Sequence, residues 1–245
     1  MRGQVILALA AAGAFTLGGC QEVLEGSGVS ASEERDVRGF NRIALAVPGS
    51  VELLQGDAEG VLVEGDDNIV QAVETLVRGG TLHVRPVEAL RNVAFRPSTP
   101  LRIRVDVREL SGVQVSGSGD AYAPSLEANR LSLTVSGSGD VFVRELAALE
   151  VAVTVSGSGS VTLGGSAIRQ SVTVSGSGSY DGRALETKSA EVAVSGSGNA
   201  LVNPGGELVA AVTGSGSVRY LGDPAVTEQV SGSGSVAPLG RPDSL

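Results

Sequence analysis

Tryptophan is absent from this 245-residue chain, and cysteine and histidine each occur once. With Cys20 alone, no disulfide can form within the chain, so stability must come from packing. The usual zinc ligand sets, which need several Cys or His, are excluded as well. A lone His83 and the absence of a Gly-x-Ser-x-Gly elbow argue against a serine hydrolase. No Gly-rich turn ends in Lys-Ser or Lys-Thr, so no phosphate loop is present. Positive charge is also scarce, with 18 Lys and Arg against 27 Asp and Glu, a net charge of −9. Without a basic cluster the chain is not expected to bind nucleic acid. Only seven aromatics occur, three Tyr and four Phe.

Long apolar runs are missing too. The run from Val5 to Leu17 is thirteen residues, short of the roughly 20 that span a bilayer. Preceded by Arg2 and followed by Gly18 and Gly19, it has the proportions of a signal-peptide core. Leu17-Gly18-Gly19-Cys20 resembles the lipobox of bacterial lipoproteins. That resemblance implies a signal peptide over 1–19, a mature chain that begins at a lipidated Cys20, and a membrane partner reached through the lipid alone. Gln21 at the next position resembles the pattern for sorting to the outer membrane, with the domain facing either the periplasm or the surface. Residues 20–38 are small and polar, without apolar period, and read as a flexible tether.

Glycine is abundant, 35 residues, and much of it is periodic. Seven times between Ser116 and Gly234 an apolar Val precedes a Ser-Gly-Ser-Gly unit, with Thr213 replacing the first serine once. The intervals are 20, 20, 19, 20, 18 and 18 residues. A period near twenty fits one turn of a solenoid, in which each turn buries its apolar residues against its neighbours. Val115, Val135, Val155, Val174, Val194, Val212 and Val230 stand before the phrase, and period-two alternation places them inside. Two residues earlier stand Val113, Leu133, Val153, Val172, Val192, Ala210 and the exception, Glu228. Within the phrase, unbroken parity would turn both glycines inward, whereas a bend would use their freedom in φ.

Parallel stacking with right-handed crossovers predicts an all-β, right-handed parallel β-helix, with turns about 4.8 Å apart. An antiparallel sandwich also accommodates short strands but has no need of a twenty-residue period. Strands are expected before the repeats at 43–47, 51–54, 61–64, 82–85 and 101–107. Asp66-Asp67-Asn68 followed by Ile69, Val70, Val73 and Leu76 predicts one short helix. The division is an irregular cap over 39–110, regular repeats over 111–238 and a tail over 239–245. Pro238, Pro242, Arg241 and Asp243 are expected to blunt the C-terminal edge and keep the chain a monomer.

The Phe40-Asn41-Arg42-Ile43 opening, the Val51-to-Asp57 run, the Asp66-to-Leu76 segment, Gly80-Thr81-Leu82-His83-Val84, the Val-Ser-Gly-Ser-Gly-Asp turns and Tyr220-Leu221-Gly222-Asp223-Pro224 together form a pattern. It resembles the auto-transporter adhesin head GIN domain family over roughly 39–238. The resemblance implies a β-helical fold and brings no catalytic or binding residues with it.

Two features could carry chemistry. Asp follows the phrase at Asp120 and Asp140, but Ser or Asn replaces it elsewhere, and the period differs from the nine residues of calcium-binding β-rolls. No metal or cofactor is therefore expected. Six residues after the first hydroxyl of the first two phrases stand Tyr122 and Phe142, which parity turns outward on adjacent turns. They form either a ligand surface with Asp120 and Asp140 or an aromatic ladder that stabilises the sheet. No basic residue is expected to form a fixed row on the exposed face. The reading that follows is a non-enzymatic, lipid-anchored envelope protein with an adhesin-like or structural role, its partner a glycan or an envelope protein. A carbohydrate-active enzyme, lyase or hydrolase, on the same scaffold is the alternative.

Overall fold

The computed structural model describes residues 22–239. Cys20, the proposed signal segment, and Arg241, Pro242 and Asp243 lie outside the described residues. The N-terminal third carries β1 (Val23–Glu25), β2 (Ser30–Arg35), β3 (Arg42–Leu45), β4 (Ser50–Gln55) and β5 (Gly60–Asp66). Helix α1 (Asp67–Ala72) follows, then β6 (Val73–Arg78), β7 (Thr81–Pro86), β8 (Ala94–Arg96), β9 (Arg102–Val107) and β10 (Gly112–Val115). The repeats form β11 (Asp120–Val135), β12 (Val141–Val155), β13 (Ser160–Gly176), β14 (Ser179–Gly196) and β15 (Asn199–Gly214). The last turn holds β16 (Ser217–Tyr220), β17 (Ala225–Gly232) and β18 (Ser235–Pro238).

The molecule is a parallel β-solenoid. From β10 to β18 every strand pairs in parallel with its counterpart one turn away, in the register that the phrase dictates: Val115 on Val135, Val135 on Val155, Val155 on Val174 and Val174 on Val194. The inward columns are buried from Val113 and Val115 through Ala210 and Val212, with relative exposures of 0–2 %. One apolar column per alternate residue on each wall is what a two-residue period produces, and the columns merge into a single core.

The phrase resolves the open question about glycine in favour of the bend. The serines lie outward and the second glycine of six copies is buried, but the first glycine of every copy is half-buried or exposed, so parity does not run unbroken through the phrase. The chain bends there. In the last four copies the first glycine, Gly176, Gly196, Gly214 or Gly232, takes φ between +107° and +117°, where L side chains are strained. Stacking adds the stronger constraint. A Cβ on Gly178 or Gly198 would come within 2.6 Å of the carbonyl oxygen of Gly159 or Gly178, the equivalent residue one turn back. Glycine therefore recurs because backbone lies directly on backbone.

The N-terminal end departs from chain order. In space β3 and β4 form a turn between β7/β9 and β10/β11, although they come earlier in sequence. Ala46-Val47-Pro48-Gly49 occupies the corner that the phrase holds elsewhere: Leu45 carbonyl accepts from Ser116 N–H at 2.9 Å, and Gly49 carbonyl from Asp120 N–H at 2.9 Å. Antiparallel strands then close this end, β6 on β7, β5 on β9 and β2 on β5.

Two boundaries need correction. Residues 20–38 are not all tether, since β1 pairs with β8 and β2 with β5, so the folded domain begins before residue 39. The outermost position of β2 leaves most of Ser30–Arg35 exposed, which removes the apolar alternation that would have marked a strand. The helix is also shorter than the spacing suggested. It ends at Ala72, and Val73 and Leu76 belong to β6, where pairing with β7 satisfies the backbone.

Candidate functional site

Each repeat turn presents a wall that begins just after the phrase. On it, the residue that follows the phrase points outward and stacks as Asp120, Asp140, Ser160, Ser179, Asn199, Ser217 and Ser235. Asp140 N–H donates to Asp120 Oδ1 at 2.9 Å; Ser160 N–H and Oγ–H donate to Asp140 Oδ1 at 2.8 and 2.7 Å. Further along, Ser217 Oγ–H donates to Asn199 Oδ1 at 2.7 Å. These side chains tie one turn to the next, which gives the two aspartates a structural occupation independent of any ligand.

Two residues further on, Tyr122 pairs in register with Phe142. Their rings are stacked, with centroids 5.6 Å apart and planes inclined by 8°. Both remain exposed, Tyr122 at 36 % and Phe142 at 40 %. Phe40 and Tyr180 are buried in the core, and Phe95 and Tyr220 pack against it, so among the described residues these two are the exposed aromatics. The geometry therefore brings Asp120, Asp140, Tyr122 and Phe142 together on one wall. Each ring turns a face to the other, so the surface offered outward consists mainly of ring edges flanked by carboxylates.

The wall that precedes the phrase carries a feature absent from the sequence reading. Arg130, Glu150 and Arg169 stand in register on three successive turns, which corrects the expectation that no basic residue forms a fixed row. Arg130 Nε lies 2.7 Å from the Glu150 carboxylate, which also pairs with Arg169. Hydrogen bonding from Arg169, with the added charge of Arg130, holds the Glu150 carboxyl below the usual carboxylate range. The signal was available as an offset of fourteen, fourteen and thirteen residues from the first hydroxyl of successive phrases. Beside this row runs a shallow groove of about 590 Å³, floored by Ser132, Ala152 and Ser171.

Two buried polar sites also escaped the pattern. Tyr180 occupies an inward column otherwise filled by Ala, Val and Ala200, and its hydroxyl donates to Gln170 Oε1 at 2.8 Å. Gln170 Nε2 in turn donates to Thr187 Oγ1 at 3.0 Å. Burial, and then the charge of Asp181, raise the Tyr180 pKa above the ordinary phenol value. Gly182 makes room, since a Cβ there would lie 2.5 Å from the Tyr180 hydroxyl. Asp66, in the cap, is fully buried and accepts N–H groups from Gly28, Ser98 and Thr99 at 2.9, 2.8 and 3.0 Å. Its carboxylate thus pins three chain segments together and does not cap α1.

Among the described residues no group of three His, Cys, Asp or Glu comes together, and no helix is long and apolar enough to cross a membrane. The same fold occurs in solved structures of low identity. A putative adhesin from Bacteroides fragilis superposes with a TM-score of 0.83 at 24 % identity, covering 88 % of this chain and all of that one. A protein from Parabacteroides distasonis described as a putative lipid binding protein gives 0.72 at 23 %, covering 89 % of this chain and all of its own. A putative adhesin from Parabacteroides merdae gives 0.70 at 21 %, with the same coverage. Comparison with curated proteins gives no match. Residues 39–224 match the family described as "Putative auto-transporter adhesin, head GIN domain", and with its Ser-Gly solenoid and antiparallel cap this chain belongs to that family.

Proposed function

We propose that this protein is a non-enzymatic binding module of the bacterial cell envelope, lipidated at Cys20 and held at the outer membrane. The stacked pair Tyr122 and Phe142, with Asp120 and Asp140 beside it, is proposed as its contact surface, and a glycan as the ligand class. The observation that carries this reading is the exposure of two of the few aromatics on one wall while the other described aromatics serve the core. An exposed apolar patch bordered by hydrogen-bond acceptors offers a sugar both apolar contact and partners for its hydroxyls. Family membership supports an adhesin-like role at the cell envelope.

A glycan array and a whole-cell pull-down with the chain from Gln21 onward, compared with the Tyr122→Ala/Phe142→Ala variant, test the surface. Loss of a glycan signal in the double variant is expected; equal retention by both proteins, or capture of protein alone, would remove the aromatic pair as a glycan site. Metabolic palmitate labelling that persists in Cys20→Ala would remove the anchor. Turnover of a glycan that disappears in Asp140→Asn would replace the binding module with an enzyme.

A further inference from the structure

The two ends of the solenoid are built differently. The N-terminal end is closed by antiparallel β6, β5 and β2, with α1 beside them. At the other end β17 pairs with β15 and β18 with β16, and among the described residues no strand lies on their outer edges. Pro238, which lacks an N–H, sits at the end of β18, but no proline interrupts Ala225–Gly232. Every residue of β17 is exposed.

The inward column of β17 continues the core. Val226 lies in register with Leu208, Glu228 with Ala210 and Val230 with Val212. Leu208, Ala210 and Val212 are at most 1 % exposed, whereas Val226 and Val230 are 37 % and 41 % exposed. The last turn therefore shows the surface that every earlier turn uses to receive the next one, an apolar floor bordered by a free strand edge. Glu228 stands in the middle of it, in the column that earlier turns fill with Val113, Leu133, Val153, Val172, Val192 and Ala210.

Such an edge matches another copy of itself, since two C-terminal ends offer each other the same apolar floor and free edge, whereas the opposite end is closed by antiparallel strands. Two C-terminal ends brought together by a two-fold axis would run their β17 strands antiparallel, a closed arrangement that stops at two copies. In an antiparallel pair, opposed residues share a face, so the inward residues 226, 228 and 230 would meet their counterparts. The centred register sets Glu228 against Glu228 of the second copy, two like charges across a joined core. A shift of two residues in either direction buries Glu228 against Val226 or Val230, leaving a carboxylate without a partner in apolar surroundings.

We propose that the C-terminal end of the solenoid is a self-pairing edge for a second copy of this chain, and that the inward carboxylate of Glu228 holds it open and keeps the protein monomeric. Sedimentation velocity on the chain from Gln21 onward, which contains every described strand, tests this over a concentration series. The wild type and Glu228→Lys are expected to sediment as one chain, and Glu228→Val with twice that mass. Glu228→Ala, which repeats the residue of the preceding turn, serves the same purpose should the Val variant lose its strand signal in circular dichroism. Adding Val230→Lys to Glu228→Val is expected to restore the single chain. A Glu228→Val or folded Glu228→Ala protein that stays monomeric overturns the proposal. So does a wild type or Glu228→Lys protein that dimerises, a series of assemblies that grows beyond two copies, or association that survives Val230→Lys.

Discussion

Replacing Gly198 by alanine adds one methyl group to a buried position, and the structure says where that methyl would go. Its Cβ would lie 2.5 Å from Val174 Cγ1 and 2.6 Å from the Gly178 carbonyl oxygen. That oxygen is not free to move away, because it accepts the N–H of Asn199 at 3.2 Å. Relief must come from separating two turns of the solenoid. Overpacking of this kind costs about 1–3 kcal/mol. Weakening the inter-turn hydrogen bond adds about 0.5–1.5 kcal/mol, so Gly198→Ala should destabilise by about 2–4 kcal/mol. For a domain of this size each kcal/mol shifts the melting temperature by about 2–4 °C, which places the expected fall at about 5–15 °C. Gly205→Ala is the matched control. It is exposed, its nearest neighbour for a Cβ is the Thr187 carbonyl oxygen at 3.7 Å, and its φ is not left-handed. There alanine should be neutral or stabilise by about 0.4–1 kcal/mol through the unfolded chain. Thermal melts followed by circular dichroism measure the difference. Hydrogen exchange adds the location, since a turn contacts only its neighbours and lost protection should centre on 174–180 and 194–200. Melting of the two variants within about 2 °C of each other would refute carbonyl stacking as the reason for the glycine.

Other outcomes follow from the buried polar groups and the aromatic wall. Tyr180→Phe strips the O–H donor from buried Gln170 Oε1 and should cost about 1–3 kcal/mol in thermal unfolding. Because the Tyr180 phenol is raised in the folded state, the unfolded chain alone loses that proton first. Stability tied to this group is thus full below pH about 10 and declines above it, so Tyr180→Phe should flatten the alkaline limb of a stability profile. Asp66 has the opposite sign, its carboxyl held low by N–H groups of Thr99, Ser98 and Gly28 despite burial. Its contribution is present above pH about 3.9 and is lost as pH falls through the lower folded value. Asp66→Asn must turn an amide donor toward at least one of those N–H groups, and exchange of residues 28–31 and of Ser98 and Thr99 should accelerate ahead of the repeats. Tyr122→Ala should cost only about 0.2–1 kcal/mol, the scale of one cross-strand pair; a loss of several kcal/mol would make the ladder primarily structural.

The repeat region was legible because two periods coincide in it, one of twenty residues along the chain and one of two within each strand. Val115 to Val212 fall inward for that reason, and Tyr122 meets Phe142 because equal offsets from the phrase become neighbours in space. The cap was legible only where it alternates. Ser30–Arg35 pairs on an outer edge with little to bury, and so leaves no apolar imprint. Val73 and Leu76 fit helical spacing, but tertiary pairing with β7 overrides that local preference. Ala46-Val47-Pro48-Gly49 shares no sequence with the phrase, so its place beneath Ser116–Gly119 could not be read from resemblance between copies. Arg130, Glu150 and Arg169 were visible in the offsets, yet a row of mixed residue types does not announce itself as a repeat.

The unequal intervals between phrases find their explanation away from the phrases. The register breaks between β12 and β13 fall at Val143/Leu146, those between β13 and β14 at Thr162/Gly164, and those between β14 and β15 at Asp181/Glu186 and Thr187/Ser189. The breaks at Val143/Leu146, Thr162/Gly164 and Asp181/Glu186 lie along one corner and that at Thr187/Ser189 along the next, and the strands between and beyond them return to register. Length variation is thereby segregated from the two ordered walls, much as a seam takes up slack in a garment. Segments grafted at residues 183–184 or 205–206 should leave the wall of Tyr122 and Phe142 undisturbed, which makes these corners the natural points for attaching a reporter or a second binding function.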